Sequence, residues 1–248
     1  MKLPKMILYD LVIFQRRSFV CTIVEDYLTR YALKVIDCVI VSAEGLVDHY
    51  YKTYHFHGCI YYLPESIDID MGKKGEIGDY IFSGGLSLRD WPTILKAAKH
   101  FSDTRFVISG SSNDKILFTL EWPENVSIFY DLPISEHYKL LSKSKFVVVA
   151  FTDENAAAGH LTFLHSFDYG KAVVSSKMIG VGSYINHGYN GLLFNHKDAN
   201  DLIEKANLLL KDSNLIRTLG HNAKKTSENF SHEKYLQRFH QILDAEVL

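Results

Sequence analysis

Apolar positions along this chain follow two rhythms that take turns. Continuous β-branched or aromatic runs, among them CVIV at 38–41, RFVIS at 105–109, FVVVAF at 146–151 and AVVSS at 172–176, predict buried strands. Between them lie segments with apolar residues three and four apart, the spacing of one helical face. Residues 19–32 carry Glu25, Asp26 and Arg30 among apolar positions; a second helix follows Ser42, which reads as its cap, and sets Leu46, His49 and Tyr50 on one side. After the Gly84-Gly85 turn, Ile94, Leu95, Ala98 and Phe101 form another apolar stripe. DANDLIEKANLLLKD and SHEKYLQRFHQILDAE are amphipathic helices with Asp198 and Ser231 as caps. Strand and helix in alternation predict a parallel sheet covered on both faces.

Residues 65–78 interrupt this pattern with paired acids, two lysines and Gly72, Gly75 and Gly78, which predicts a linker. The expected division is a first unit over 1–73 and a second over 74–248. The net charge of −2 provides no basic field for nucleic acid, so none is expected as a partner. Cys21, Cys38 and Cys59 form no C-x-x-C pair and read as reduced structural thiols. No apolar run approaches the length of a membrane span, and the reading is a cytoplasmic protein that touches a membrane at most peripherally, at its inner face. Tyr50, Tyr51, Tyr54, Phe56, Tyr61 and Tyr62 crowd residues 50–62, an aromatic face expected either to pack the first unit or to meet a partner subunit or a second copy.

The densest signal spans 154–193, ENAAAGHLTFLHSFDYGKAVVSSKMIGVGSYINHGYNGLL: a loop, a helix stopped by Gly170, a buried strand and two glycine turns. Together with GGLSLRD at 84–90 and the tail LLKDSNLIRTLGHNAKKTSENFSHEKYLQRF, it resembles the nucleotide-sugar-binding half of GT-B glycosyltransferases of family 4. YDLV and IDCVIVSAEGL resemble the last part of that family's first domain, so the resemblance implies an N-terminally truncated form. The expected fold is therefore α/β and GT-B-like: a complete C-terminal Rossmann-like domain, a truncated N-terminal α/β subdomain, and a last helix crossing back.

The resemblance implies a nucleotide-sugar donor, linked to UDP or GDP, and retaining sugar transfer to a glycan or lipid-linked acceptor, with no cofactor and no metal. Donor-binding residues carried over are Gly85, Arg89, Gly159, His160, Leu161, His165, Gly182 and Ser183. No catalytic residue is assigned. Ala157 and His165 stand where the family has glutamates, and Leu86 stands near its phosphate-binding arginine, which leaves Arg89 to hold the diphosphate. A helix-start residue paired with Asp90 is the alternative for Arg89. Gly110-Ser111-Ser112 is a further loop at a strand end that could face base or ribose, and Asp10 would face the interdomain cleft. Three functions follow: a glycosyltransferase, acting alone or with a partner that supplies its acceptor side; a noncatalytic nucleotide-sugar-binding or scaffold subunit of a split enzyme; and an epimerase of the same architecture.

Overall fold

The structure is a computed structural model that describes residues 5–9, 19–70, 75–155 and 157–247; Asp10 and Gly72 lie outside the described residues. Its first part is a three-stranded parallel sheet, β1 (Ile7–Tyr9), β2 (Cys38–Val41) and β3 (Cys59–Tyr62), in the order β1-β2-β3. Helices α1 (Phe19–Leu33) and α2 (Glu44–Tyr54) connect them. Val39, Val41, Leu46, Tyr50, Tyr54 and Phe56 fill the core of this part.

Of the two readings of the aromatic residues over 50–62, that core favours packing of the first part over a partner face. Tyr50, Tyr54 and Phe56 are spaced to fall inward on α2 and the turn after it, where each ring replaces water contact with packing, and only Tyr51 of the group is largely exposed. Exposed apolar side chains sit instead on α1, at Val24, Tyr27, Leu28 and Tyr31. The expected Ser42 cap is corrected. The residue before α2 is Ala43, which offers no side-chain cap, and the Glu44 N–H donates at 2.9 Å to Ser183 Oγ, 139 positions further along the chain.

The second sheet has six parallel strands: β4 (Tyr80–Gly84), β5 (Arg105–Gly110), β6 (Val126–Tyr130), β7 (Phe146–Val149), β8 (Val173–Ser176) and β9 (Gly191–Phe194). Their order is β6-β5-β4-β7-β8-β9. The chain therefore winds outward one way from β4 and the other way from β7, and crossovers leave a crevice at the carboxyl ends of those two strands. The expected second glycine turn is formed by residues 188–190, with Gly188 at φ 80°, and β9, a strand the sequence does not predict, follows it directly. Four residues beginning at a glycine carry too little periodicity to read as a strand, but pairing with β8 satisfies their backbone, and Gly191 is needed because a Cβ would meet the Val173 carbonyl at 2.7 Å.

One face of this sheet is covered by α3 (Trp91–His100), α7 (Ala199–Lys211) and α8 (Ser213–Ser227), packed through Trp91, Ile94, Leu202 and Leu219. The other is covered by α5 (Ile134–Ser142) and α6 (His160–Asp168) through Leu141, Phe163, Leu164 and Phe167. A short helix α4 (Lys115–Thr119) lies between β5 and β6. Helix α9 (His232–Val247) crosses back, and Ile242 packs with Ile40 and Leu63 of the first part. Between the sheets the chain is tied down: Ile67 is buried and its N–H donates to the Phe230 carbonyl at 3.0 Å. Among the described residues no helix is long and apolar enough to cross a membrane.

Candidate functional site

A cavity of about 480 Å³ opens at the carboxyl ends of β4 and β7. Its walls come from the loop after β4 (Gly85, Leu86, Ser87, Arg89), the end of β5 (Ser109, Gly110), the turn into α5 (Asp131 to Tyr138), and the start of α6 (Ala157 to Thr162), with Glu65 from the inter-sheet segment. The loop after β4 is fixed by main-chain bonds, Asp90 N–H to the Ala150 carbonyl and Thr152 N–H to the Leu88 carbonyl, both at 2.9 Å. Asp90 then caps α3, its carboxylate accepting from the Thr93 N–H at 3.2 Å and the Thr93 hydroxyl at 2.5 Å.

With Asp90 so engaged, Arg89 makes its contacts elsewhere. Its guanidinium donates to the Gly84 carbonyl at 2.9 Å, the Ser87 carbonyl at 2.8 Å and Thr162 Oγ1 at 3.3 Å, and lies 4.7 Å above the Phe151 ring. All of these partners are neutral. Arg89 is 6% exposed, and burial pulls its pKa down to about 10, so it keeps its charge at neutral pH in a place where that charge is poorly hydrated. Gly85 makes this packing possible: at φ 129° it presents bare backbone, and a Cβ would overlap the guanidinium.

Beside Arg89 lies the amino end of α6, whose Thr162 the guanidinium binds. Gly159 at its start has φ 78°, a Cβ there would run into the Phe151 ring, and no side chain caps the helix. The first-turn amides and the positive end of the helix dipole thus face the same cavity as Arg89. Two histidines complete the polar lining. His160 stacks on Tyr184 at 4.5 Å, is 6% exposed, and its Nε2 has no hydrogen-bond partner among the described residues; burial lowers its pKa to about 4. His137 shares a hydrogen bond between Nδ1 and Ser109 Oγ at 2.8 Å, and burial together with the charge of Arg89 lowers its pKa to about 4. Both are neutral at pH 7. Asp131, whose carboxylate accepts from Ser112 N–H and Ser111 Oγ, is held below the usual aspartate range by those bonds.

Of the residues singled out from sequence, Gly85, Arg89, Gly159, His160 and Leu161 meet at this cavity, and Gly110 joins them. His165, Gly182 and Ser183 do not line it. His165 packs against Tyr138 with ring centres 3.8 Å apart and the planes tilted by 35°, one turn along α6 from the opening. Gly182 is exposed with open space where a side chain would go, and Ser183 binds α2. Beside it Tyr184 joins the two parts: its hydroxyl donates to the Ser42 carbonyl at 2.8 Å and accepts from the Glu65 N–H at 3.0 Å. His137, Tyr138 and Glu65 are lining residues that sequence reading missed, for they lie inside a helix and a polar segment with no motif around them.

A family model of glycosyl transferases group 1 matches residues 80–226, which contain every loop of the cavity except Glu65. An uncharacterized glycosyltransferase of Methanocaldococcus jannaschii is 34% identical over 94 residues, 38% of this chain and 26% of that protein. The N,N'-diacetylbacillosaminyl-diphospho-undecaprenol α-1,3-N-acetylgalactosaminyltransferase of Campylobacter jejuni is 27% identical over 155 residues, 62% of this chain. The chain spans 39% of that enzyme's length. Among solved structures, a sucrose-phosphate synthase of Thermosynechococcus elongatus aligns with TM-score 0.81 at 16% identity, over 94% of this chain and 64% of its own. Anabaena HepE in complex with UDP aligns with TM-score 0.80 at 14% identity, over 97% of this chain and 72% of its own. These likenesses establish a GT-B-like α/β fold, and the family match over more than half of the sequence shows that this chain belongs to the glycosyl transferases group 1.

Proposed function

We propose that the cavity binds a nucleotide sugar, linked to UDP or GDP, and that the protein transfers the sugar with retention, and without a metal ion, to a glycan or lipid-linked acceptor. The observation that carries this reading is Arg89: a buried guanidinium with only neutral partners, set beside an uncapped helix start in the wall of an open cavity. A diphosphate supplies the missing counter-charge. The planar fork of Arg89 can engage two phosphate oxygens at once, and the first-turn amides of α6 add donors along the helix dipole. As the bond between sugar and diphosphate breaks, negative charge grows on the leaving group, and these fixed donors stabilise it most at that point. Neutral His137 and His160 offer ring nitrogens to hydroxyl groups without repelling Arg89. UDP in the HepE complex supports the choice of nucleotide, and the lipid-linked acceptor in the Campylobacter enzyme's name supports the acceptor class.

The test is thermal unfolding with UDP or GDP. A ligand that binds only the folded state at a hundred times its dissociation constant adds about 2.7 kcal/mol of stability. A rise in melting temperature with either nucleotide is expected; no rise with both at millimolar concentration overturns the donor-site reading.

A further inference from the structure

A second cavity, of about 560 Å³, lies at the opposite edge of the six-stranded sheet, at the amino ends of β7 and β8. Among the described residues, five lysines and arginines line it, Lys145, Lys171, Arg217, Lys224 and Lys225, together with His221, against one lining carboxylate, Glu228. In a chain of net charge −2 this concentration of cations is local, and like charges gathered in one pocket repel. We propose that this pocket binds a phosphate-bearing anion, at a site separate from the donor cavity.

The individual cations differ in how far they are satisfied. Lys224 is committed to the fold, donating to the Asp70 carbonyl at 2.9 Å, the Asp168 carbonyl at 2.6 Å and Asp168 Oδ1 at 2.8 Å. Its charge is cancelled by Asp168. Lys171 is 3% exposed and donates to two neutral acceptors, the Glu76 carbonyl and the Ser144 carbonyl, the latter at 2.7 Å. Burial lowers its pKa to about 8, with Glu76 opposing part of that shift, so it sits as an under-compensated ammonium in the pocket wall. Lys145, half-buried just before β7, and Arg217, His221 and Lys225, exposed on α8, surround the opening with donors; of these Arg217 also reaches Asn214 Oδ1 at 3.4 Å. An anion there gains Coulomb energy from several cations while relieving their mutual repulsion, and phosphate offers enough oxygens to use them together.

The floor is backbone packed on backbone. α8 meets the end of α6 this way, since a Cβ on Gly220 would overlap the Gly170 carbonyl, and a Cβ on Gly75 would meet the Tyr169 and Ser142 carbonyls. Gly75, Gly170 and Gly220 all line the pocket, so their amides report on a ligand bound there. The volume is in the range that small-molecule sites occupy. Two sources fit the chemistry: a soluble phosphorylated compound, or the headgroup of an anionic phospholipid, which the exposed Ile77 at the rim would accompany.

The experiment is an amide-resolved NMR titration of the chain with pyrophosphate, with co-sedimentation on phosphatidylglycerol and phosphatidylcholine vesicles as a second arm. The expected result is saturable shifts at Gly75, Gly170 and Gly220 that persist in Arg89→Ala, where the donor cavity has lost its cation. They should weaken at least about tenfold in the combined variant Lys145→Ala, Arg217→Ala, Lys225→Ala, whose side chains carry no part of the core. Saturation by pyrophosphate assigns a soluble phosphate, and sedimentation only with phosphatidylglycerol, lost in the combined variant, assigns the headgroup. Neither binding event, or binding that disappears with Arg89→Ala and ignores the combined variant, overturns the proposal. If Arg89→Ala does not fold, the wild type against the combined variant decides alone.

Discussion

Replacing Arg89 by alanine removes, among the described residues, the only arginine or lysine that lines the cavity proposed to hold the donor. The side chain makes three hydrogen bonds to neutral acceptors and covers the Phe151 ring, so the change has two separable consequences. For folding, the carbonyls of Gly84 and Ser87 lose a donor. Water can enter from the open side and replace it, which keeps the cost toward the low end of the roughly 1–3 kcal/mol for an orphaned buried polar group. For binding, a hydrogen bond to a charged group is worth about 1.5–3 kcal/mol, and each 1.4 kcal/mol is about tenfold in Kd. Affinity for UDP should thus fall about 10- to 150-fold. Arg89→Lys, which keeps the charge but not the fork, should fall between wild type and alanine. Isothermal titration calorimetry measures the affinities, and melting in the absence of nucleotide checks that each variant is folded. A folded Arg89→Ala protein with an unchanged Kd would refute the phosphate role and leave Arg89 as a brace for the loop after β4.

Other consequences follow from the same geometry. Gly85→Ala must displace the Arg89 guanidinium, so calorimetry should show weakened UDP binding comparable to Arg89→Ala; full affinity would mean that the arginine position does not matter. His137 and His160 have folded pKa values near 4, below the usual 6.5, so the unfolded chain binds more protons between those limits. Their contribution to stability is complete above about pH 6.5 and declines as pH falls toward about 4, by up to about 1.4 kcal/mol per pH unit for each histidine, and urea titrations across that window should show His160→Phe flattening the slope. Tyr184→Phe deletes the hydroxyl that joins the Ser42 carbonyl to the Glu65 N–H, at a cost of about 1–3 kcal/mol. Hydrogen exchange at the Glu65 amide should accelerate by a corresponding factor, and an unchanged rate would show that the Tyr184 hydroxyl does not hold this amide.

Much of this protein could be read in its sequence because the relevant signals are local. Alternating buried runs and amphipathic segments specify parallel α/β structure, since a strand covered on both faces must be apolar throughout and its crossover helix must be apolar on one side. Asp198 before α7 forms a cap with the two N–H groups it precedes in sequence, and such a bond involves no distant residue. The glycine motifs at 84–85 and 158–159 are legible for the same reason, because bare backbone beside a helix start is a property of adjacent residues. What the sequence did not determine depends on residues far apart along the chain. α2 takes a bond from Ser183, about 140 positions away, rather than from Ser42 beside it. Tyr50, Tyr54 and Phe56 look like a binding face when written in a line, and become interior only when β2 and α2 close over them. His137 reaches the donor cavity because α5 follows β6 to the same sheet edge as β4, and no pattern around it announces that arrival. Periodicity and capping are short-range effects that a linear chain carries with it, whereas desolvation, orphaned donors and uncompensated charge exist only after distant segments have excluded water from one another.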